Sequence, residues 1–274
     1  MKRMKRSIGI GLILGLFLCI LFTLWDGASK TGQAEESALH RIQRTGVMKV
    51  GWALWFPWMV MDEKTKKLTG IGPDVIEELA KALGNVKIEW VADNWATLVA
   101  GLQANKFDIT YPLGVTLPRA MACDYSEDTQ KEAQTFLVKK KDAGRFKTME
   151  DVDQPGVKIS ATLGSNTELY LTRAFKKPEI IRFKSSPEGL MALVLGKVDV
   201  WANTGSSIAD ALKAQPDTVV IKGHFALGKN CFAIKQGDQI FLNWLNLFVA
   251  DLKETGTLDR ILKKYGQKRE VFFD

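Results

Sequence analysis

The chain has 274 residues, 46% hydrophobic and 25% charged, a globular composition long enough to bury one large core or two modest ones. Its formal charge of +7 comes from 38 Lys and Arg against 31 Asp and Glu, but five of the basic and one of the acidic residues fall in the first 34 positions, leaving 33 against 30. That mild balance, with no basic block interleaved with aromatics, excludes a nucleic-acid footprint.

In chain order, Lys2, Arg3, Lys5 and Arg6 precede an apolar run over 8–24 that ends at Trp25. A basic start followed by an apolar run predicts a secretory signal over 1–34, with Gly32 and Ala34 as small residues before cleavage at Glu35. An uncleaved anchor ranks second, since the run approaches the ~20 residues of a membrane span. A lipoprotein at Cys19 ranks third, because Leu16, Phe17 and Leu18 are too bulky for the usual small residue before a lipidated Cys. All three export the chain.

LHRIQRTG then places Leu39 and Ile42 on one helical face, with Gly46 as the stop. VMKVGWAL predicts a short buried strand over 47–51, and WFPWMVMDEKTKKLTG an aromatic entry into a charged hairpin closing at Gly70. Asp74 opens VIEELAKALG, whose Val75, Ile76, Leu79, Ala80 and Leu83 recur at helical spacing. VKIEWVA alternates as a strand over 86–92, NWATLVAGLQANK predicts a helix, and FDITYPL a strand. Strand and helix in alternation with short connections imply a parallel sheet with right-handed crossovers. Ligands on such sheets bind beyond the carboxyl ends of the strands, where the following loops carry Trp55 and Arg119.

The stretch 106–126, KFDITYPLGVTLPRAMACDYS, organises the rest. Thr116 and, three residues on, Arg119 follow an apolar strand at the sheet edge, so a hydroxyl and a permanently charged planar fork stand together. That pair outlines a carboxylate receptor. A second series of strands and helices follows: a short helix over 148–152, the strand VKISAT, the loop LGSNTE, the helix TELYLTRAF, the strand IIRF, the helix SPEGLMALVLGK, the strand VDVWAN, the helix SSIADALKA and the strand TVVIKG. This predicts another small parallel unit, and two amphipathic helices around Gly256 close the chain. Beyond the leader, Cys123 and Cys231 allow one disulfide or, in preference, two buried thiols, and with His40 and His224 they make no metal set and no catalytic pair.

In their order, VMKVG, GIGPDVIEELAKALG, LVAGLQANKFDIT, TLPRAMACDYS, PGVKISATLGS, LMALVLGKVDVWA and LNLFVADLKETGTLDRILKKYG resemble the periplasmic solute-binding proteins of ABC importers, in the amino-acid-binding branch known as bacterial extracellular solute-binding protein family 3. The resemblance implies an α/β, two-lobed fold of the type II periplasmic-binding kind, each lobe a small mostly parallel sheet with flanking helices, joined by a two-strand hinge. Lobe one is expected over 39–132 plus 233–274, and lobe two over 133–232. It further implies that Arg119 clamps a ligand carboxylate with Thr116 and the backbone near Gly114, and that Trp55 and Trp95 enclose the ligand. The 162–166 loop, with Thr162, Ser165 and Asn166, and the neighbours Asn203 and Thr204 would close from lobe two. The family's Asp for the ligand ammonium is Thr at position 204 here, so either another acid supplies that charge or the ligand is no ordinary α-amino acid.

The function implied is capture, without chemistry, metal or cofactor, of a small carboxylate-bearing, amino-acid-like solute, possessed of a cationic group or not, by a monomer that delivers it to the membrane permease of an ABC importer. An enzyme resembling cyclohexadienyl dehydratase is the alternative on the same scaffold. It would need a protonated carboxylic acid in the cleft, for which Glu168 is the nearest candidate and a raised carboxyl pKa the sign. A membrane-anchored ligand-sensing domain is the third. Asp74, as a helix cap, and Asp108 and Asp199 read as structural, as do Trp58 and Trp90.

Overall fold

The computed structural model describes residues 35–273; the leader over 1–34, with its anchor and lipoprotein alternatives, lies outside them. Helix α1, Ala38–Thr45, buries Leu39 and Ile42 as the spacing predicts, and Gly46 ends it at φ 68, its N–H returning to the Ile42 carbonyl. Strand β1, Val47–Trp52, leads into the short hairpin of β2, Val60–Met61, and β3, Leu68–Thr69. Helix α2, Ile71–Ala82, starts three residues earlier than Asp74. Asp74 is therefore not its cap: its carboxylate accepts from Lys264 Nζ at 2.7 Å and Tyr265 OH at 3.1 Å. Strand β4, Lys87–Ala92, helix α3, Leu98–Gln103, strand β5, Ile109–Gly114, and the single turn α4, Leu117–Ala120, complete the first series.

The long strand β6, Cys123–Lys139, comes next, then α5, Met149–Val152, β7, Lys158–Thr162, α6, Asn166–Ala174, β8, Glu179–Phe183, α7, Ser186–Val194, β9, Val200–Thr204, and α8, Gly205–Ala214. Strands β10, Thr218–Val220, and β11, Ala226–Lys235, helices α9, Gln239–Glu254, and α10, Thr257–Lys264, and the short strand β12, Glu270–Val271, follow.

The main sheet runs β4-β1-β5-β11-β6-β9-β7-β8. Its ends are parallel, β4-β1-β5 and β9-β7-β8, as the alternation of strands and helices predicts. Between them β11 and β6 run antiparallel to each other and to their outer neighbours. Strand β10 departs from the parallel unit expected for it, pairing antiparallel to β6 with Val219 opposite Val138. One core packs Met48, Val50, Ile76 and Leu79 against Phe241, Leu245 and Leu258, and another packs Phe136, Ile159, Leu171, Phe175 and Val200. Each such large side chain contributes about 1.5–3 kcal/mol of burial.

The residues read as structural are used so. Asp108 accepts from Lys49 N at 2.8 Å and pairs with Arg41, and Asp199 accepts from Lys158 N at 2.9 Å and pairs with Arg145 at 2.8 Å. Cys123 and Cys231 are free and buried. Among the described residues no helix is long and apolar enough to cross a membrane.

Candidate functional site

The loop after β1 is fixed by its own backbone: Trp55 N donates to Met59 O at 2.9 Å and Met59 N to Trp55 O at 2.6 Å. This turns Trp55 toward Trp58, with ring centroids 5.5 Å apart and stacked, and sets Trp95 edge-on at 5.6 Å. Trp95 Nε1 donates to Leu54 O at 3.3 Å. On the other side of the sheet, Ser165 caps α6 by accepting from Glu168 N at 3.1 Å, and its hydroxyl donates to Thr162 O at 2.7 Å. Beyond β9, Asn203 donates from Nδ2 to Ser186 Oγ at 2.7 Å and accepts Thr204 N at 2.8 Å.

These groups line a cavity of roughly 340 Å³, its open mouth included. Seven of the residues expected from the sequence line it: Trp55, Trp95, Thr162, Ser165, Asn166, Asn203 and Thr204. Leu54, Thr167, Ser186 and Ala202 also line it. No sequence signal marked these four, because each sits beside a recognised position and carries no distinctive chemistry. All the lining residues are neutral.

Arg119, Thr116 and Gly114 lie beside this lining. Thr116 caps α4, its hydroxyl accepting from Arg119 N at 3.4 Å. The Arg119 guanidinium, 7% exposed, donates from Nη1 to Gly114 O at 2.8 Å and from Nη2 to Gly164 O at 2.7 Å. Burial pulls its pKa below the ordinary arginine value, with Tyr125 opposing. Gly114 touches the cavity wall through Asn166: a Cβ added there would fall on the Asn166 side chain. The Asn166 Nδ2 group is buried without a hydrogen-bond partner, as is Gln134 Nε2, while Gln134 Oε1 accepts from Thr167 Oγ1 at 2.6 Å.

Contacts cross from the first series of elements to the second. Trp55 Nε1 donates to Ser207 Oγ at 3.0 Å, Trp58 Nε1 to Ser206 Oγ at 3.1 Å, and Tyr170 OH to Val115 O at 2.6 Å. Gly164, at φ +73, packs against the backbone of Ala96 so closely that an added Cβ would stand 2.7 Å from Ala96 N.

Glu168 lies off the cavity lining. It pairs with Arg182 at 2.9 Å and accepts Gly164 N at 3.3 Å, a structural use of the carboxylate. The carboxyl that burial pushes up is Glu132, on β6, fully buried, with hydrogen bonds from Ser206, Asn230 and Thr204 working against the rise. Nothing in the sequence around Glu132 marks it, since KEAQ reads as a solvated stretch.

The family model described as bacterial extracellular solute-binding proteins, family 3, matches residues 48–268. The chain is 29% identical over 244 residues to the L-cystine-binding protein TcyA of Bacillus subtilis (strain 168), covering 88% of each chain. It is 25% identical over 241 residues to the L-cystine-binding protein TcyJ of Escherichia coli (strain K12), covering 87% of this chain and 90% of that one. Its fold superposes with a TM-score of 0.77, at 32% identity, on the crystal structure of the ancestral amino acid-binding protein AncCDT-1, a precursor of cyclohexadienyl dehydratase, covering 84% of this chain and 99% of that one. The fold is thus a two-lobed, type II periplasmic-binding fold.

Proposed function

Because the chain belongs to the bacterial extracellular solute-binding proteins of family 3, we propose that it is a monomeric, extracytoplasmic receptor. In this assignment it captures a small carboxylate-bearing, amino-acid-like solute and hands it to the permease of an ABC importer, without chemistry. The ligand carboxylate is held by Arg119, two of whose five N–H groups are engaged by Gly114 O and Gly164 O. It takes further hydrogen bonds from the Thr116 hydroxyl and from Asn166 Nδ2, which is buried and unpartnered. Trp55 and Trp95 enclose the rest of the ligand, and Thr162, Ser165, Asn203 and Thr204 complete the wall.

The observation that carries this is the Arg119 guanidinium itself, which joins the loop after β5 to the loop after β7 at the edge of the cavity. With two of its five N–H groups so engaged, the guanidinium keeps donors for an anionic ligand that arrives between the loops, and such a ligand adds to closure by what it gains in the closed form. The lobes are proposed over 39–132 plus 233–274 and over 133–232, closing about β6 and β11. The bonds of Trp55, Trp58 and Tyr170 across that boundary support a closed arrangement. An enzyme of the dehydratase kind needs an acid that reaches the substrate. Glu132 is fully buried off the lining and Glu168 is ion-paired off it, which supports binding alone.

Thermal unfolding of the wild type and of Arg119→Ala, against amino acids and their deaminated acids, tests the assignment. A ligand at ~100 times its dissociation constant adds ~2.7 kcal/mol, which raises the midpoint by about 5–10 °C in a chain of this size. The wild type is expected to respond and the variant not. If no carboxylate-bearing compound shifts the wild type, or if the variant responds equally, the clamp is wrong.

A further inference from the structure

The cavity is lopsided in charge. Arg119 stands beside it, and among the described residues no carboxylate lines it. The acids nearest the lining along the chain are engaged elsewhere. Asp93, two residues before Trp95, pairs with Lys106 at 2.9 Å, Glu168 with Arg182 at 2.9 Å and Asp199 with Arg145 at 2.8 Å. Glu188, two residues after Ser186, is exposed and accepts Lys184 N at 3.3 Å. Glu132 is fully buried off the lining, where its Oε2 accepts Ser206 N at 2.9 Å and its Oε1 accepts Asn230 Nδ2 at 2.7 Å. An ammonium drawn out of water into this cavity would meet no counter-charge, and an unpaired buried charge is costly.

What the wall has left over is donors. Asn203 is held in one orientation, because its Oδ1 accepts Thr204 N at 2.8 Å while one Nδ2 proton goes to Ser186 Oγ at 2.7 Å. Its second Nδ2 proton has no acceptor among the described residues. Ser186, which lines the cavity beside it, receives that bond and keeps its own hydroxyl proton. Asn166, 6% exposed, adds an Nδ2 group buried without a partner. The Thr204 hydroxyl is occupied with those of Ser206 and Ser207, 3.2 Å from each. Buried donors without acceptors are costly, and a ligand oxygen relieves that cost. A ligand ammonium, itself only a donor, does not.

We propose that the solute carries an oxygen where an amino acid carries its ammonium: it is a 2-hydroxy or 2-oxo acid whose carboxylate meets Arg119 and whose second oxygen accepts from Asn203 and Ser186. This rests on the receptor assignment and narrows its ligand class. One carboxylate then faces one guanidinium, with no further charge to accommodate. Leu54, Trp55, Trp95 and Ala202 supply the apolar part of the lining, so the rest of the solute is uncharged.

The test is calorimetric titration with L-leucine, L-phenylalanine and L-lysine, each beside its 2-hydroxy acid, with the 2-oxo acids of the first two. Within a pair only the group on the second carbon changes. For the tightest-binding skeleton, the wild type is expected to prefer an oxygen acid over the amino acid by about tenfold or more. Asn203→Asp keeps an acceptor for Thr204 N and sets a carboxylate in the wall, so it is expected to move the preference toward the amino acid by about tenfold or more. Ser186→Ala removes the other donor with little change of shape, and is expected to weaken the oxygen acids by about threefold to tenfold while leaving the amino acid within about twofold. It keeps the proposal testable should the first variant fold poorly. A wild type that prefers the amino acid, or prefers the oxygen acid by less than about threefold, overturns this proposal and leaves the receptor assignment standing. A preference for oxygen acids that both variants leave intact overturns the placing of that oxygen at Asn203 and Ser186. A wild type that binds none of the compounds sinks the receptor assignment along with this one.

Discussion

Gly164→Ala separates the two things that a closing receptor asks of one residue. Gly164 holds φ +73, and the Cβ of an alanine there would stand 2.7 Å from Ala96 N and 2.8 Å from Ala96 Cα. The left-handed backbone costs a residue with a Cβ about 1–2 kcal/mol wherever the loop is folded, so the ligand-free midpoint is expected to fall. The contact with Ala96 is different: on the proposed lobe boundaries Ala96 lies in the opposite lobe and would meet Gly164 only on closure. Backbone atoms cannot rotate away, and forced overpacking of this kind costs about 1–3 kcal/mol. That term falls on the closed form alone and weakens ligand binding by about fivefold to 150-fold. Displacing the loop also pulls Gly164 O from Arg119 Nη2, a bond of 2.7 Å. The assay is a pair of measurements on one variant: the ligand-free unfolding midpoint, and the dissociation constant from quenching of tryptophan fluorescence, to which Trp55 and Trp95 contribute. A lowered midpoint with a dissociation constant within about threefold of wild type would refute closure onto Ala96.

Two further outcomes follow from the buried groups. Because the folded Glu132 carboxyl titrates above the ordinary glutamate value, the stability of its neutral form is fully present below about pH 4.3 and is lost as pH rises through the raised folded value. Urea melts of the ligand-free wild type are therefore expected to decline relative to Glu132→Gln from about pH 4 upward, at no more than about 1.4 kcal/mol per pH unit, and a pH-independent difference would count against the shift. Burial pushes the Cys231 thiol up to about 12 and raises Cys123 as well. At pH 8 only about one Cys231 in ten thousand is then thiolate, so in a chain starting at Glu35 both are expected to react with Ellman's reagent only after unfolding; rapid reaction of the native protein would contradict their burial.

How much of this was legible depends on how local each signal is. The helix over Leu39 and Ile42 ends at Gly46 as written, and the strand that carries Arg119 to the sheet edge is read from its apolar run. The lining residues Trp55, Trp95, Asn166 and Thr204 follow from which loops stand beyond strand ends together with the family resemblance. Strand β6 is the counterexample. CDYSEDTQKEAQ offers neither alternation nor apolar content, yet Thr129, Gln130, Glu132, Gln134 and Thr135 are all buried. Its polar side chains are satisfied from far away, by Asn230 for Gln130 at 3.0 Å and by Ser206 for Glu132. The start of α2 was misplaced for a related reason: Asp74 resembles a cap, and its real partners lie 190 and 191 residues on.

The sequence by itself determined the two parallel units, their helices and the residues at their mouths, because periodicity and turn chemistry act within a few residues. Only the tertiary structure decided that β11 and β6 pair antiparallel to each other and to their outer neighbours, that Arg119 spans Gly114 and Gly164, and that Glu132 is fully buried. Glu132 meets Ser206 and Asn230 across 74 and 98 residues of chain. A buried charge takes its meaning from such neighbours: hydration and partners set its cost, and neither is written beside it in the sequence.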